Sequence, residues 1–160
     1  MNKAQIYQYL CDRGISYEIT EHGAVYTMED LESAHLPYPQ FDAKNLFVRD
    51  DKKRNFYMIT VRGDKKVNLK EFRKNHGLRN LSFASAEELA QILKLTPGAV
   101  TPLGLLNDEL LRVSLYIDSE FSGNIIGIHP NDNTATLWLK TSDLIELIRG
   151  HGNEVNFAQL

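Results

Sequence analysis

The feature that most constrains this chain is a pair of apolar runs on either side of a charged string. Leu46-Phe47-Val48 precedes Asp50-Asp51-Lys52-Lys53-Arg54, and Phe56 to Val61 follows it. Five consecutive charged residues resist burial, so the chain is expected to reverse there. The flanking segments, Lys44 to Arg49 and Asn55 to Val61, are predicted to be two strands of a hairpin.

Around this hairpin the pattern alternates between helical and extended. Ile6, Tyr7, Leu10 and Cys11 recur at the spacing of an amphipathic helix over Asn2 to Asp12, ended by Gly14. Ser16 to Thr20 reads as a short strand. Thr27-Met28-Glu29-Asp30 matches the Thr-x-x-acidic capping box and predicts a helix to about Ala34, after which Pro37 and Pro39 impose an extended loop. Asn68 is placed to cap a helix from Leu69 to Asn75, closed by Gly77. Leu81-Ser82-Phe83 is strand-like, and Ser85-Ala86-Glu87-Glu88 opens a helix to about Leu93. Arg112 to Ile117, Gly123 to Ile128 and Thr134 to Leu139 are predicted strands. Thr141-Ser142-Asp143 is expected to cap a last helix through Ile148, closed by Gly150 and Gly152, with Val155-Asn156-Phe157 as an edge strand. Hairpins interspersed with helices indicate an α+β fold with a mixed, mainly antiparallel sheet.

The 160 residues fit one domain, residues 1–160, and 42% hydrophobic with 24% charged residues allows a core beneath a charged surface. No apolar run is long enough for a membrane span. Met1 to Gln5 contains no apolar signal core, so a cytoplasmic location is expected. The single cysteine, Cys11, excludes an intrachain disulfide framework and a cysteine-cluster metal site. Its place beside Leu10 predicts a core residue rather than a nucleophile.

Charge is uneven. From Lys44 to Arg79 there are twelve Lys/Arg against four Asp/Glu, whereas the whole chain carries a net charge of −3. This basic middle suits a polyanion, and a solvated hairpin and helix is the plainer reading. The acidic remainder argues against a general DNA-coating protein, and no helix-turn-helix recognition helix is evident.

Three polar constellations can carry chemistry. Lys44-Asn45 opens an apolar strand, where a lysine can reach toward a carbonyl or phosphate or simply end a strand in water. Gly98-Ala99-Val100-Thr101-Pro102-Leu103-Gly104 can expose backbone N–H groups to a carbonyl oxygen or an anion, or can serve as a connector. His129-Pro130-Asn131-Asp132-Asn133-Thr134 is rich in turn formers and can present His129 and amides to a ligand. It lacks the partners of a metal site, so no metal or other cofactor is expected. The Gly-x-Ser-x-Gly, Gly-x-Gly-x-x-Gly and P-loop patterns are absent. His22, His35, His76 and His151 are scattered.

Taken together with Leu81-Ser82-Phe83-Ala84-Ser85 and Leu103-Gly104-Leu105-Leu106-Asn107-Asp108, these strings resemble the YbaK-type aminoacyl-tRNA editing family, in particular its PrdX-like, ProXp-ala-type prolyl-tRNA editing members. The resemblance spans the chain from the first helix to Phe157. It implies a strongly curved mixed sheet surrounded by helices. It further implies a deacylase that hydrolyses mischarged tRNA for proline in trans, with alanine the first candidate and cysteine the alternative. By the same resemblance Lys44, His129 and Gly98 are the catalytic set. Asn45, Ala99, Val100, Thr101, Pro102, Gly104, Asn107 and Asn131 are the candidate substrate-binding residues. Lys44 would hold the terminal phosphate or the carbonyl region, the Gly98 loop the water or the ester carbonyl, and His129 the amino acid or ribose, or a proton in transit. The expected partner is the acceptor end of a mischarged tRNA, with prolyl-tRNA synthetase as an optional second and no membrane or DNA. Monomer and homodimer both stay open. A non-catalytic tRNA- or synthetase-binding module of the same fold is the rival reading.

Overall fold

The computed structural model describes residues 1–27, 29–30 and 34–160. The two segments flanking the charged string are strands β2 (Ala43–Asp50) and β3 (Phe56–Arg62), and they pair antiparallel with Lys44 opposite Val61 and Asn45 opposite Thr60. The turn between them is organised from within. The buried Asp50 carboxylate accepts from the N–H groups of Lys52 (3.1 Å) and Arg54 (3.0 Å) and from Asn55 Nδ2 (2.8 Å). Burial alone would raise this carboxyl, but the hydrogen bonds outweigh it and hold Asp50 below the usual carboxylate range.

The remaining strands are β1 (Tyr17–Glu21), β4 (Leu81–Phe83), β5 (Val113–Asp118), β6 (Ile125–Ile128), β7 (Ala135–Lys140) and β8 (Val155–Ala158). They form two sheets flanked by helices, the α+β arrangement expected, though as two sheets rather than one and without the strong curvature that the resemblance implied. One is antiparallel with order β1-β7-β6, and the other is mixed with order β4-β2-β3-β5-β8. In the mixed sheet β2 pairs antiparallel with β3 and β4, while β3–β5 and β5–β8 are parallel. β8 is the edge strand expected. The two sheets meet at one isolated parallel bridge, Asp42 with Gly127. Gly127 is required there, because a Cβ on it would lie 2.3 Å from Cζ3 of buried Trp138.

Helix starts follow local side-chain chemistry. Asn2 and Gln5 form a capping box on α1 (Lys3–Asp12), Asn68 caps α2 (Leu69–Asn75), and Ser85 and Glu88 form a capping box on α3 (Ala86–Leu93). Glu88 also pairs with Arg49 (3.1 Å), tying α3 to β2. Three expectations need correction, at Thr141, Gly150 and Cys11. Thr141 is the first residue of α4 (Thr141–His151), not part of its cap. Lys140 occupies the capping position without a side-chain bond, and the Thr141 hydroxyl is buried unpaired. Because Gly150 is accommodated inside the last turn, α4 continues to His151, and Gly152 ends it with φ +117°. Cys11 is exposed. The buried stripe of α1 is Ile6 and Leu10, and the next residue is turned about 100° away from Leu10. In the segment from Thr27, Asp30 N–H donates to Thr27 Oγ1 (3.1 Å) and Thr27 N–H to Asp30 Oδ2 (3.1 Å), as the capping-box pattern requires. Residues 28 and 31–33 of that expected stretch lie outside the described residues.

Alternation along β3 divides the core. Phe56 and Met58 join the main cluster with Leu93, Leu103, Leu115, Ile126, Leu137 and Ile148, between the two sheets and helices α1, α3 and α4. Tyr57, Ile59 and Val61 face the other way, onto Phe72 of α2. The mixed sheet is therefore covered on both faces, which leaves the ends of its strands as the places for a site.

Candidate functional site

The seam between the sheets opens into a pocket of about 380 Å³. Its floor comes from the start of β2 (Asp42, Ala43, Lys44, Asn45) together with Gly63. Its opposite wall is His129 and Thr136 from the three-stranded sheet, and Val25 to Thr27, Gly98 and Val100 close the rim. Residues distant in sequence converge because Asp42 pairs with Gly127, two residues before His129.

Lys44 Nζ donates to the carbonyl of Lys65, which holds the side chain along the pocket wall. Asn45 is tied into a relay across three elements. Thr60 donates its hydroxyl to Asn45 Oδ1 (2.7 Å), and Asn45 Nδ2 donates to the carbonyl of Val100 (3.4 Å). This relay fastens the Gly98 loop to the sheet.

That loop begins with a turn closed by Ala99 N–H to the Thr96 carbonyl (3.1 Å), with Pro97 second and Gly98 third at φ +89°. Pro at the second position and positive φ at the third are the type II turn requirements. A Cβ on Gly98 would also come within 3.0 Å of Tyr26 Cε1, so a side chain there would displace the exposed Tyr26 ring, while the positive φ is what calls for glycine. Ala99 N–H is used by the turn. Among the described residues, the N–H groups of Gly98 and Val100 have no acceptor. Two such donors at a pocket rim suit a carbonyl oxygen or oxyanion.

His129 Nδ1 lies 2.9 Å from the carbonyl of Ala135. A carbonyl only accepts, so Nδ1 carries the proton and neutral His129 keeps its lone pair on Nε2. Burial lowers the His129 pKa, against the opposing hydrogen bond to Ala135, which favours this neutral form near pH 7. The ring stands edge-on to His22 at 6.3 Å, and His22 Nε2 is 2.9 Å from the Thr136 hydroxyl.

The other candidates lie outside the cavity. Ala99, Thr101, Pro102 and Gly104 are buried behind the loop. Thr101 Oγ1 accepts from Leu103 N–H (3.4 Å), and a Cβ on Gly104 would strike Leu95 Cδ1 at 2.5 Å, so these residues shape the support of the rim. Asn107 accepts from the Met1 nitrogen (2.6 Å) and donates to the Leu93 carbonyl (2.8 Å). Asn131 donates to the Met1 carbonyl (2.8 Å). Both asparagines thus secure the start of α1, away from the pocket.

Sequence reasoning missed Asp42, Tyr26 and Thr136. Asp42 precedes the Lys44-Asn45 pair, and its carboxyl is pushed up to about 7 by burial. An acidic residue two before the strand-opening lysine was the available signal. Tyr26, 71% exposed, stands at the rim over Gly98. The basic middle of the chain is partly neutralised internally, since Arg49, Arg62, Lys65 and Arg79 pair with acids. Lys52, Lys53, Arg54, Lys66, Lys70 and Lys74 remain exposed without ion pairs among the described residues. No cluster of three or more His, Cys, Asp or Glu placed to hold a metal occurs among the described residues, and no helix there is long and apolar enough to cross a membrane.

Comparison with known proteins gives a consistent picture. Residues 22–147 match the model of the aminoacyl-tRNA editing domain. The chain is 40% identical over 147 residues to the prolyl-tRNA editing protein ProX of Acetoanaerobium sticklandii, covering 91% of this chain and 90% of that protein. It is 32% identical to prolyl-tRNA synthetase associated domain-containing protein 1 of Mus musculus, over 95% of this chain and 92% of that protein. In fold it is similar to the crystal structure of a candidate trans-editing enzyme for prolyl tRNA synthetase, with TM-score 0.71 and 18% identity over 100% of this chain and 98% of the other.

Proposed function

Because the chain belongs to the aminoacyl-tRNA editing domain family, we propose that it is a trans-editing hydrolase, a single domain over residues 1–160, that removes alanine from mischarged tRNA for proline. The observation that carries this reading is the convergence of Lys44, Asn45, Gly98, Val100 and His129 on one pocket at the sheet seam. The names of the relatives in Acetoanaerobium sticklandii and Mus musculus support the prolyl context.

An aminoacyl ester is already activated by its α-ammonium and the neighbouring ribose hydroxyl, so the protein has to hold it, place a water and stabilise an oxyanion. Water oxygen bonds to the ester carbonyl carbon, the carbon–ribose oxygen bond breaks, and the proton lost by water ends on the ribose oxygen. The N–H groups of Gly98 and Val100 receive the oxyanion. Lys44 supports the carbonyl region or the terminal phosphate. His129 Nε2 accepts a hydrogen bond from the water or the ribose hydroxyl and positions it. The exposed lysines and Arg54 attract the phosphates of the acceptor stem.

Selectivity follows from size. A synthetase pocket built for proline discriminates weakly against the smaller alanine, and a second pocket that admits alanine and excludes the proline ring completes a double sieve. Val100 on the pocket rim supplies a wall for a small side chain.

The test is single-turnover deacylation of alanyl-, cysteinyl- and prolyl-tRNA on one tRNA body. Alanyl-tRNA is expected to be cleaved much faster than prolyl-tRNA. Faster cysteinyl cleavage reassigns the substrate to cysteine, and equal prolyl cleavage defeats the sieve. Release of no amino acid from any of the three makes the protein a binding module.

A further inference from the structure

Asp42 is a charged group that the pocket leaves unmatched. Its backbone is held on both sides: its N–H donates to the Pro39 carbonyl (3.3 Å), its carbonyl accepts from Gly63 N–H (2.9 Å), and it bridges to Gly127. Its carboxylate, by contrast, has no hydrogen bond and no ion pair among the described residues. A Cβ on Gly63 would lie 3.7 Å from Asp42 Oδ2, so the carboxylate rests over a position that carries no side chain.

No other pocket group forms an ion pair with it among the described residues. Lys44 keeps its positive charge, but its ammonium is turned to another acceptor, the Lys65 carbonyl, and His129 is held toward its neutral form by burial. Tyr26, Thr27, Asn45 and Thr136 are neutral. A partly desolvated carboxylate without a partner is unfavourable until a cation arrives. The aminoacyl ester carries such a cation, its α-ammonium, one carbon from the reacting carbonyl.

We propose that Asp42 binds the α-ammonium of the aminoacyl group, so that the pocket reads a charged amino nitrogen as well as a small side chain. This rests on the editing reading above. It makes Asp42 a substrate-binding residue, and it sets the ester carbonyl one carbon away, within the pocket that Lys44 and Gly98 line. An ester of the same size with a neutral hydroxyl in place of the ammonium would lose this contact.

The experiment compares alanyl-tRNA with lactyl-tRNA on one tRNA body, each enzymatic rate divided by its own spontaneous hydrolysis rate. Wild-type protein should prefer the alanyl ester by about tenfold or more, as a hydrogen bond to a charged group implies. In Asp42→Asn the alanyl rate should fall about tenfold to a hundredfold and the preference should approach unity, with Asp42→Glu restoring part of it. A preference unchanged in Asp42→Asn overturns the proposal. A second measurement separates it from the editing reading: the carboxyl carbon of Asp42 is followed by NMR while L-alaninamide is added. Binding of that cation should lower the carboxyl's titration midpoint. If wild-type protein cleaves neither ester, the editing reading fails, and the NMR result alone decides. A lowered midpoint supports ammonium binding at Asp42, and no response to L-alaninamide overturns it.

Discussion

Replacing Asp42 by Asn should stabilise the protein, and the gain should depend on pH in a defined sense. The Asp42 carboxyl rises from the ordinary 3.8 to about 7 because it is buried. At about 1.4 kcal/mol per pH unit, a rise of roughly three units corresponds to an upper figure of about 4 kcal/mol. Water entering the open pocket screens the charge, so about 1–2 kcal/mol is expected in practice. Below about pH 4 the group is protonated in both folded and unfolded chains and contributes nothing. Between about pH 4 and 7 the folded chain retains a proton that the unfolded chain has released, so wild-type stability falls as pH rises. Above about pH 7 both are ionised and the full penalty remains. Urea unfolding of wild type and Asp42→Asn at pH 4, 5.5, 7 and 8.5 should show a stability gap that opens with pH and then levels, at unchanged m value. A gap that stays flat, or that closes as pH rises, would refute the assignment of Asp42 as a desolvated, unpartnered carboxyl.

Lys44→Ala should remove most deacylation, about a hundredfold or more, while thermal unfolding stays close to wild type; wild-type turnover by a folded variant counts against Lys44 in the site. Gly98→Ala places a Cβ in a φ +89° backbone within 3.0 Å of Tyr26, and should cost about 1–2 kcal/mol in urea midpoint and slow cleavage together. Cys11→Ser should keep full activity and stability within about 0.5 kcal/mol, since the side chain is exposed; loss of activity in the folded variant would implicate the thiol. Prolonged dialysis against a strong chelator should leave the deacylation rate unchanged, and a loss restored by zinc would show that a metal takes part.

What could be read from the sequence was local. Asn68 and Ser85 cap their helices because a capping side chain answers to N–H groups two or three residues away. The hairpin was legible because apolar runs and a charged string determine each other's positions over a dozen residues. Thr141 misled because the same threonine chemistry serves a first helical turn when β7 runs directly into α4. Cys11 misled because a single step around a helix separates the buried stripe from solvent, and periodicity over ten residues does not resolve it. The sheet division and the place of Asp42 were out of reach, since both depend on a backbone bridge between residues 85 positions apart. Asn107 and Asn131 carry family-like motifs, yet their side chains hold Met1, and only the folded chain separates such anchoring from contact with a ligand.

The joining of the two sheets through Asp42 and Gly127 has a bearing on how such a site can diversify. One sheet supplies Lys44 and Asn45, the other His129 and Thr136, and the rim comes from loops that belong to neither. Strand pairing within each sheet is therefore indifferent to what fills the gap. Exchanges at rim positions such as Val100 or Tyr26 can resize the opening while every ladder of hydrogen bonds stays in register. Selection by side-chain size can thus change at those rim positions with little effect on foldability, whereas at Asp42, which sits in the bridge itself, and at Gly98 the two are coupled.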